Sequence, residues 1–118
     1  KQAKGIIALL YNDDDTLKKE AILAIRELFL TEAKTDLIQL FNKVSPDIQL
    51  EILETLMVIG DESIVPFLEN TIRKATNKDV KLKAVACLNE LDKIELDLVA
   101  INDFDITKMT KHVREIYL

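Results

Sequence analysis

Few side chains in this sequence could act as nucleophiles or metal ligands, and they lie far apart. The chain contains two serines, Ser45 and Ser63, one cysteine, Cys87, and one histidine, His112. Neither serine lies in a nucleophile-elbow motif, so each is better interpreted as a helix cap. Cys87 occupies a small-residue position of a predicted helix and is expected to be a packed, inert thiol, whereas His112 is expected to be exposed. A structural zinc site needs four ligands of these types. We therefore predict no catalytic residue, no metal and no cofactor.

Three consecutive acids, Asp13 to Asp15, form a cluster that could suggest calcium binding. An EF-hand loop also needs alternating ligands, a turn glycine and a glutamate at its twelfth position, and this segment has none of them. Acids just before a helix instead accept hydrogen bonds from its first amides and oppose its dipole. We predict that these residues cap the helix that follows.

The composition favours one helical domain. The 118 residues suffice for a single core, and 2 Gly and 2 Pro are few for the turns of an all-β fold. The formal net charge of −5 lacks the positive field on which nucleic-acid affinity depends, so no nucleic acid is expected as a partner. No apolar stretch approaches the roughly 20 residues that span a bilayer. We expect a cytoplasmic domain, excised from a longer protein because Lys1 opens within a helical pattern; other parts of that protein could anchor it to a membrane.

An internal repeat organises the middle of the chain. The segment that ends at Leu28 aligns without gaps on those that end at Ile59 and Leu91, at offsets of 31 and 32 residues. The shared apolar spacing is that of a helix with one buried face. We predict that these faces form one continuous core. The aligned sets are Leu17/Ile48/Val80, Ala21/Ile52/Ala84, Ile22/Leu53/Val85, Ile25/Leu56/Leu88 and Leu28/Ile59/Leu91.

A second, shorter apolar stripe follows each of the first two such helices, so each repeat is a helix pair. Ser45 and Pro46 predict a helix start, the serine as a capping hydroxyl and the proline in the first turn. Gly60 predicts a left-handed helix end, with Asp61 capping the next helix, and Asn77 or Asp79 predicts a further start. The predicted helices cover 2–11, 16–30, 34–44, 46–59, 63–75 and 79–91, with a weaker helix near 94–101 and a terminal one at 105–117.

The stretch from Asp47 to Leu68 resembles a HEAT repeat, a helix-pair unit of many scaffold proteins. In this family an acid, a β-branched residue, an apolar run, a Gly-Asp turn and an Ala-Val-Pro-x-Leu helix start recur in this order. Here Gly60 and Asp61 form the turn, and Ile64 to Leu68 stand for the last element. The resemblance extends from about Asp15 to Asp92. Repeats near 31 residues are short for the family and closer to the bacterial variety found in phycobilisome lyase relatives.

The sequence departs from the family pattern at two sets of positions. Phe29 and Leu30 replace the Gly-Asp turn of the first repeat. Lys18, Gln49 and Lys81 occupy the position where the family commonly has an arginine. A stacked ladder of Asp and Arg side chains, as in some HEAT proteins, is therefore not expected here.

The resemblance implies an all-α, armadillo-like α-α superhelix, right-handed, of about three helix pairs. On this basis residues 1–118 form one domain with repeats at about 15–45, 46–77 and 78–103, flanked by helices 2–11 and 105–117. HEAT proteins commonly bind partners along the second helix of each pair. The residues that alternate out of the second apolar stripes are therefore the candidate contacts, and we call them the second-helix surface: Gln39, Asn42, Lys43, Glu69, Asn70, Arg73 and Lys74.

We predict a non-catalytic scaffold that binds another protein. The likeness to lyase-type repeats leaves a bilin lyase or chaperone as an alternative, and HEAT-like DNA glycosylases leave nucleic-acid binding as a less favoured one. The chain has four Phe, two Tyr and no Trp, and it therefore has few groups for holding a tetrapyrrole or DNA.

Charge is distributed unevenly along the repeats. Residues 46–72 contain six acids and no Lys or Arg, while residues 73–93 contain six basic residues and three acids. This pattern either decorates a solvated surface or steers a partner of complementary charge. Two of the acids, Glu51 and Glu54, lie on a first helix and are expected to point away from the partner.

The beginning of the chain predicts an incomplete repeat. Ile6, Ile7, Leu9 and Leu10 form an apolar pattern that a preceding repeat would normally cover. End-to-end self-association of the chain is therefore expected.

Overall fold

Six α-helices, with three short 3-10 turns, account for most of residues 2–101, the part of the chain that our computed structural model describes, with side chains described from 3 to 91. No strand occurs in this range, and the predicted all-α class is confirmed. The predicted helix at 105–117, with His112, lies outside the described residues. The 3-10 turns are Leu9–Tyr11, Thr31–Ala33 and Glu62–Ile64. The helices are α1 (Gln2–Ala8), α2 (Asp15–Leu28), α3 (Lys34–Phe41), α4 (Pro46–Ile59), α5 (Val65–Lys74) and α6 (Lys78–Ile101).

The helices stack as consecutive pairs, which is the predicted solenoid. The first helices α2, α4 and α6 pack on one another in chain order and form one layer. The second helices pack beside them, α3 against α4 and α5 against α6. The second helices α3 and α5 also contact each other: the ring of Phe41 packs edge to face on that of Phe67, with centroids 5.0 Å apart.

The core lies between the two layers and follows the repeat alignment closely. The repeat alignment places six residues at the centre of the core: Ala21, Ile25, Leu53, Leu56, Val85 and Leu88. The first four are fully buried, and Leu88 is half-buried against them. Val85 was predicted to be buried in the continuous core, but its side chain is only half-buried. Because α4 lies between α2 and α6, its apolar positions are covered from both sides.

The first repeat ends differently from the alignment. Leu28 aligns with buried Ile59, yet its side chain is 54% exposed, because α2 ends at this residue and the chain turns away. Phe29, which aligns with Gly60, takes the left-handed conformation at φ 55°. This conformation lets the amide of Leu30 bond the carbonyl of Ile25 at 3.0 Å, a helix end that glycine usually provides.

Gly60 does not adopt the predicted left-handed conformation, since its φ of −78° is ordinary for any residue. Its need for glycine is one of space. A Cβ here would lie 2.3 Å from the carbonyl oxygen of Leu56 and 2.6 Å from Cδ1 of Ile64. The close approach of α4 to the turn before α5 thus excludes a side chain.

The predicted break after residue 91 is wrong. A single helix, α6, runs from Lys78 to Ile101, where two helices at 79–91 and 94–101 were expected. This segment contains no Gly or Pro and no capping signal strong enough to stop it.

The predicted caps are mostly present. Asp14 accepts a hydrogen bond from the amide of Thr16 at 2.8 Å, and Asn77 accepts one from Val80 at 3.0 Å. Asp61 caps the turn before α5 by accepting from the amide of Ser63 at 2.9 Å. Ser45 stands at the N-cap of α4, but its hydroxyl makes no capping hydrogen bond. The predicted role of that hydroxyl is therefore wrong, although Pro46 does occupy the first turn.

The beginning of the chain is better covered than its sequence predicts. Leu10 is fully buried, and Ile6 and Ile7 are half-buried against the core, while Leu9 remains exposed. The hydroxyl of Tyr11 donates a hydrogen bond to Asp36, and this bond raises the pKa of the tyrosine. With α1 packed on α2, end-to-end self-association stays a prediction with less apolar surface to drive it.

Replacing Leu56 by Ala should lower the free energy of unfolding by about 2 to 5 kcal/mol, because a fully buried side chain is truncated. Leu28→Ala is the matched control and should change it by no more than about 0.5 kcal/mol. Chemical denaturation measures both. Similar losses for the two variants would show that Leu28 is a core residue.

The two glycines should respond in opposite directions to alanine. Gly60→Ala should destabilise the protein by about 1 to 3 kcal/mol, since the added methyl group overpacks the turn. Gly5 lies within α1 with nothing near its Cβ position, so Gly5→Ala should stabilise it by about 0.5 to 1 kcal/mol. A neutral Gly60→Ala in thermal or chemical unfolding would contradict the close approach described here.

Candidate partner-binding surface

The second helices carry equivalent residues at equivalent places. When α3 is aligned on α5 with the same offset of 31 residues, the buried positions coincide as Ala33/Ile64, Leu37/Leu68 and Leu40/Thr71. The same offset superposes six residues of the second-helix surface as three pairs. These pairs are Gln39/Asn70, Asn42/Arg73 and Lys43/Lys74.

The seven residues predicted as contacts differ in how open they are. Five of them are exposed: Gln39, Asn42, Lys43, Arg73 and Lys74. Glu69 and Asn70 are half-buried, and Glu69 already interacts within the chain. The structure therefore leaves a lysine of each repeat accessible, while the amide of Asn70 is less open than that of Gln39. The contact role of Glu69 stays a prediction.

A cavity of about 320 Å³ opens beside three of these residues, Asn42, Asn70 and Lys74. It lies where α3 ends, between α5 and the beginnings of α4 and α6; we call it the inter-repeat cavity. Gln39, Lys43, Glu69 and Arg73 do not line it. No acidic residue is among its lining side chains, which otherwise are Phe41, Pro46, Gln49, Phe67, Thr71, Ala75, Thr76, Asn77 and Val80.

Part of the cavity wall is fixed by internal hydrogen bonds. Nε2 of Gln49 donates to the carbonyl oxygen of Phe41 at 2.9 Å, which holds the beginning of α4 against the end of α3. Thr71 is 6% exposed and donates its hydroxyl to the carbonyl oxygen of Phe67 at 2.9 Å. With Asn77 held as the cap of α6, these polar groups shape the wall.

Four polar side chains of the cavity lining have no partner among residues 3–91: Asn42, Asn70, Lys74 and the hydroxyl of Thr76. The first three include all of its amide and ammonium groups without a partner. None of the side chains of Asn42, Asn70 and Lys74 makes a hydrogen bond or an ion pair with residues 3–91. Two carboxamides and one ammonium group offer several hydrogen-bond donors. The cavity is therefore chemically suited to a small group rich in acceptors.

The first helices use their charged side chains differently, to join neighbouring repeats. Nη2 of Arg26 on α2 contacts Oε1 of Glu51 on α4 at 2.6 Å, and its Nε donates to the hydroxyl of buried Thr55 at 3.1 Å. On the other side of α4, Lys83 of α6 contacts Glu54 at 2.7 Å. Both acids thus lie on first helices, as expected, but they serve the contacts between repeats.

A further ion pair joins the turns on the second-helix side. Nζ of Lys34, at the beginning of α3, contacts Asp61 at 2.8 Å. The Lys34 ammonium and the Ser63 hydroxyl lower the pKa of Asp61 to about 2. Asp61 therefore stays ionised, and holds both partners, until the pH falls well below the usual range of a carboxyl group.

The cysteine and one of the two serines named at the beginning of the sequence analysis, Cys87 and Ser63, have structural roles. Cys87 is fully buried, and desolvation raises the pKa of its thiol to about 12, so the reactive thiolate is suppressed. The predicted packed thiol is confirmed. Ser63 donates its hydroxyl to Asp61. Within residues 3–91 no group of three His, Cys, Asp or Glu side chains is arranged to hold a metal ion.

Sequence reasoning located the second helices but missed most of the cavity. The sequence analysis placed Phe67 in a buried apolar stripe and gave Asn77 the role of a cap, and it assigned no role to Thr71 or Thr76. The amide-rich run Thr76-Asn77 directly after Lys74 was the available signal for a polar site at this end of α5.

Comparisons with known proteins agree with this architecture. A family model described as HEAT repeats matches residues 3–89. No curated protein and no solved structure was found to match the chain. In the described part of the chain, no helix has the length and apolar character needed to cross a membrane.

Proposed function

The chain belongs to the HEAT-repeat family, and on this premise we propose that it is a non-catalytic scaffold whose partner protein contacts the second-helix surface. HEAT repeats generally serve as protein-interaction scaffolds. They are typically non-catalytic, and the buried, poorly ionised Cys87 supports that reading here. The finer assignment concerns the face that binds.

The observation that carries the proposal is the recurrence of the same chemistry on successive second helices. An amide at Gln39 and Asn70 and an ammonium at Lys43 and Lys74 stand one repeat apart. Because stacked repeats place equivalent residues in a row, a partner that runs across them meets similar groups at each step. On the first helix α4, by contrast, Glu51 and Glu54 are engaged with the neighbouring repeats.

The four charges that matter for a test are matched in number and exposure. Lys43, two residues after the end of α3, and Arg73 on α5 are exposed, whereas Lys19 and Lys81 are exposed on the first helices α2 and α6. None of these four makes an ion pair with residues 3–91. Reversing either pair changes the net charge of the chain equally, so a difference between the pairs reports the location of the partner.

Reversal at the second helices, Lys43→Glu with Arg73→Glu, should weaken partner binding at least tenfold and leave the free energy of unfolding nearly unchanged. Exposed substitutions usually change stability by less than about 0.5 kcal/mol, whereas unlike-charge contacts across an interface are lost. A partner captured by affinity from the source cell provides the binding assay, read by calorimetry or surface plasmon resonance.

The control, Lys19→Glu with Lys81→Glu, should keep the affinity within about twofold. Reversal at Glu51 and Glu54 is not a usable control, because it breaks the ion pairs that α4 makes with α2 and α6. Loss of binding in the Lys19 and Lys81 variant, with full binding in the other, would place the partner on the first helices and overturn the proposal.

A further inference from the structure

We propose that the inter-repeat cavity receives a carboxylate side chain from an extended acidic segment of the partner. This inference rests on the proposed function and adds the chemistry of the partner. It joins the unpartnered donors Asn42, Asn70 and Lys74 with the absence of any acid among the residues that line the cavity.

A carboxylate fits this set of groups better than a neutral polar group does. An ionised carboxylate only accepts hydrogen bonds, and the two carboxamides and the ammonium all donate them. Hydrogen bonds in which the donor or the acceptor is ionised are about twice as strong as neutral ones, and an ionised carboxylate makes all three bonds of this kind. The groups that could bring a competing negative charge into the cavity are missing, since its other polar side chains are amides and hydroxyls.

The size of the cavity limits what enters it. A volume of about 320 Å³ lies at the lower end of the roughly 300 to 1,000 Å³ found for small-molecule sites. The wall is rigid on one side, where Phe41 packs on Phe67 and Gln49 is bonded to the end of α3. The cavity therefore has room for one side chain with part of its backbone.

The groups outside the cavity argue for a peptide over a free anion. Lys43 and Gln39 repeat the ammonium and the amide of Lys74 and Asn70 one helix pair away. The contact between Phe41 and Phe67 holds α3 beside α5, and packed helices lie about 8 to 10 Å apart. Three residues of polyproline II chain cover about that distance, and every third side chain returns to the same side. A segment with an acid at every third position would therefore place successive carboxylates at successive repeats.

Diffuse attraction does not account for such binding. The chain carries a net charge of −5 and repels an acidic peptide as a whole. Binding of that peptide therefore requires local cations and donors, and it should weaken as salt screens them.

The test uses a fluorescein-labelled peptide with the unit Ser-Gly-Glu repeated four times, and the same peptide with Gln in place of Glu. The whole chain should bind the Glu peptide at least tenfold more tightly in fluorescence anisotropy. Asn70→Ala and Lys74→Gln should each weaken it at least fivefold, and Lys19→Gln, which removes a charge on α2, should not. In a ¹⁵N spectrum the side-chain amides of Asn42 and Asn70 should shift on binding.

Four results would overturn the inference: equal affinity for the two peptides, an equal loss in Lys19→Gln, binding without a shift at Asn70, or no binding at all. Inorganic phosphate that displaces the peptide at an equal concentration would show a free-anion site in place of a peptide site. Failure of this inference can be told apart from failure of the proposed function. If Lys43→Glu with Arg73→Glu abolishes capture of the natural partner while the Glu peptide does not bind, the proposed function stands and the inferred acidic segment is wrong.

Discussion

The structure depends on one constraint: a single helix pair cannot bury its apolar face alone, so neighbouring repeats must share a core. The clearest consequence is at α4, which packs on α2 and on α6 and has Ile52, Leu53 and Leu56 fully buried. Burial of this kind stabilises by roughly 1.5 to 3 kcal/mol for each large side chain. Ion pairs then form at the edges of the same seams, from Arg26 to Glu51 and from Lys83 to Glu54. They are partly exposed and contribute less to stability than the core does, but they fix how the repeats register.

The same constraint decides which surface is available for function. Stacking buries one face of the first helices and engages two acids of α4, Glu51 and Glu54, with the neighbouring helices. The outer faces of α3 and α5 keep amides and cations without partners among residues 3–91, and the aromatic contact between Phe41 and Phe67 holds these two faces in register. The inter-repeat cavity arises where α3 ends and α6 begins. The proposed binding surface thus follows from packing helix pairs in a row, and its chemistry is set by the few residues that the core does not use.

Much of this fold could be predicted from the sequence, because the apolar stripe recurs at offsets of 31 and 32 residues. That recurrence identifies the first helices and the buried residues of α4.

Other features could not be predicted from the repeat pattern. Leu28 has the right type and register to be buried, yet α2 ends at it. The left-handed helix end expected at a glycine occurs at Phe29. Gly60 is required for a different reason, the close approach of Ile64. The continuity of α6 was missed because a weaker apolar pattern does not stop a helix that lacks Gly and Pro. The ion pairs and the cavity depend on side chains from different helices, which one-dimensional spacing does not bring together.

The central claim, that the second helices form the working face, is tested most directly by cross-saturation transfer in nuclear magnetic resonance between the captured partner and the ¹⁵N-labelled chain. The account predicts that saturation spreads from the partner to amides of α3 and α5, strongest near Lys43, Asn70 and Lys74. Saturation concentrated on the outer residues of α2 and α6, around Lys19 and Lys81, with none on α3 and α5, would contradict it.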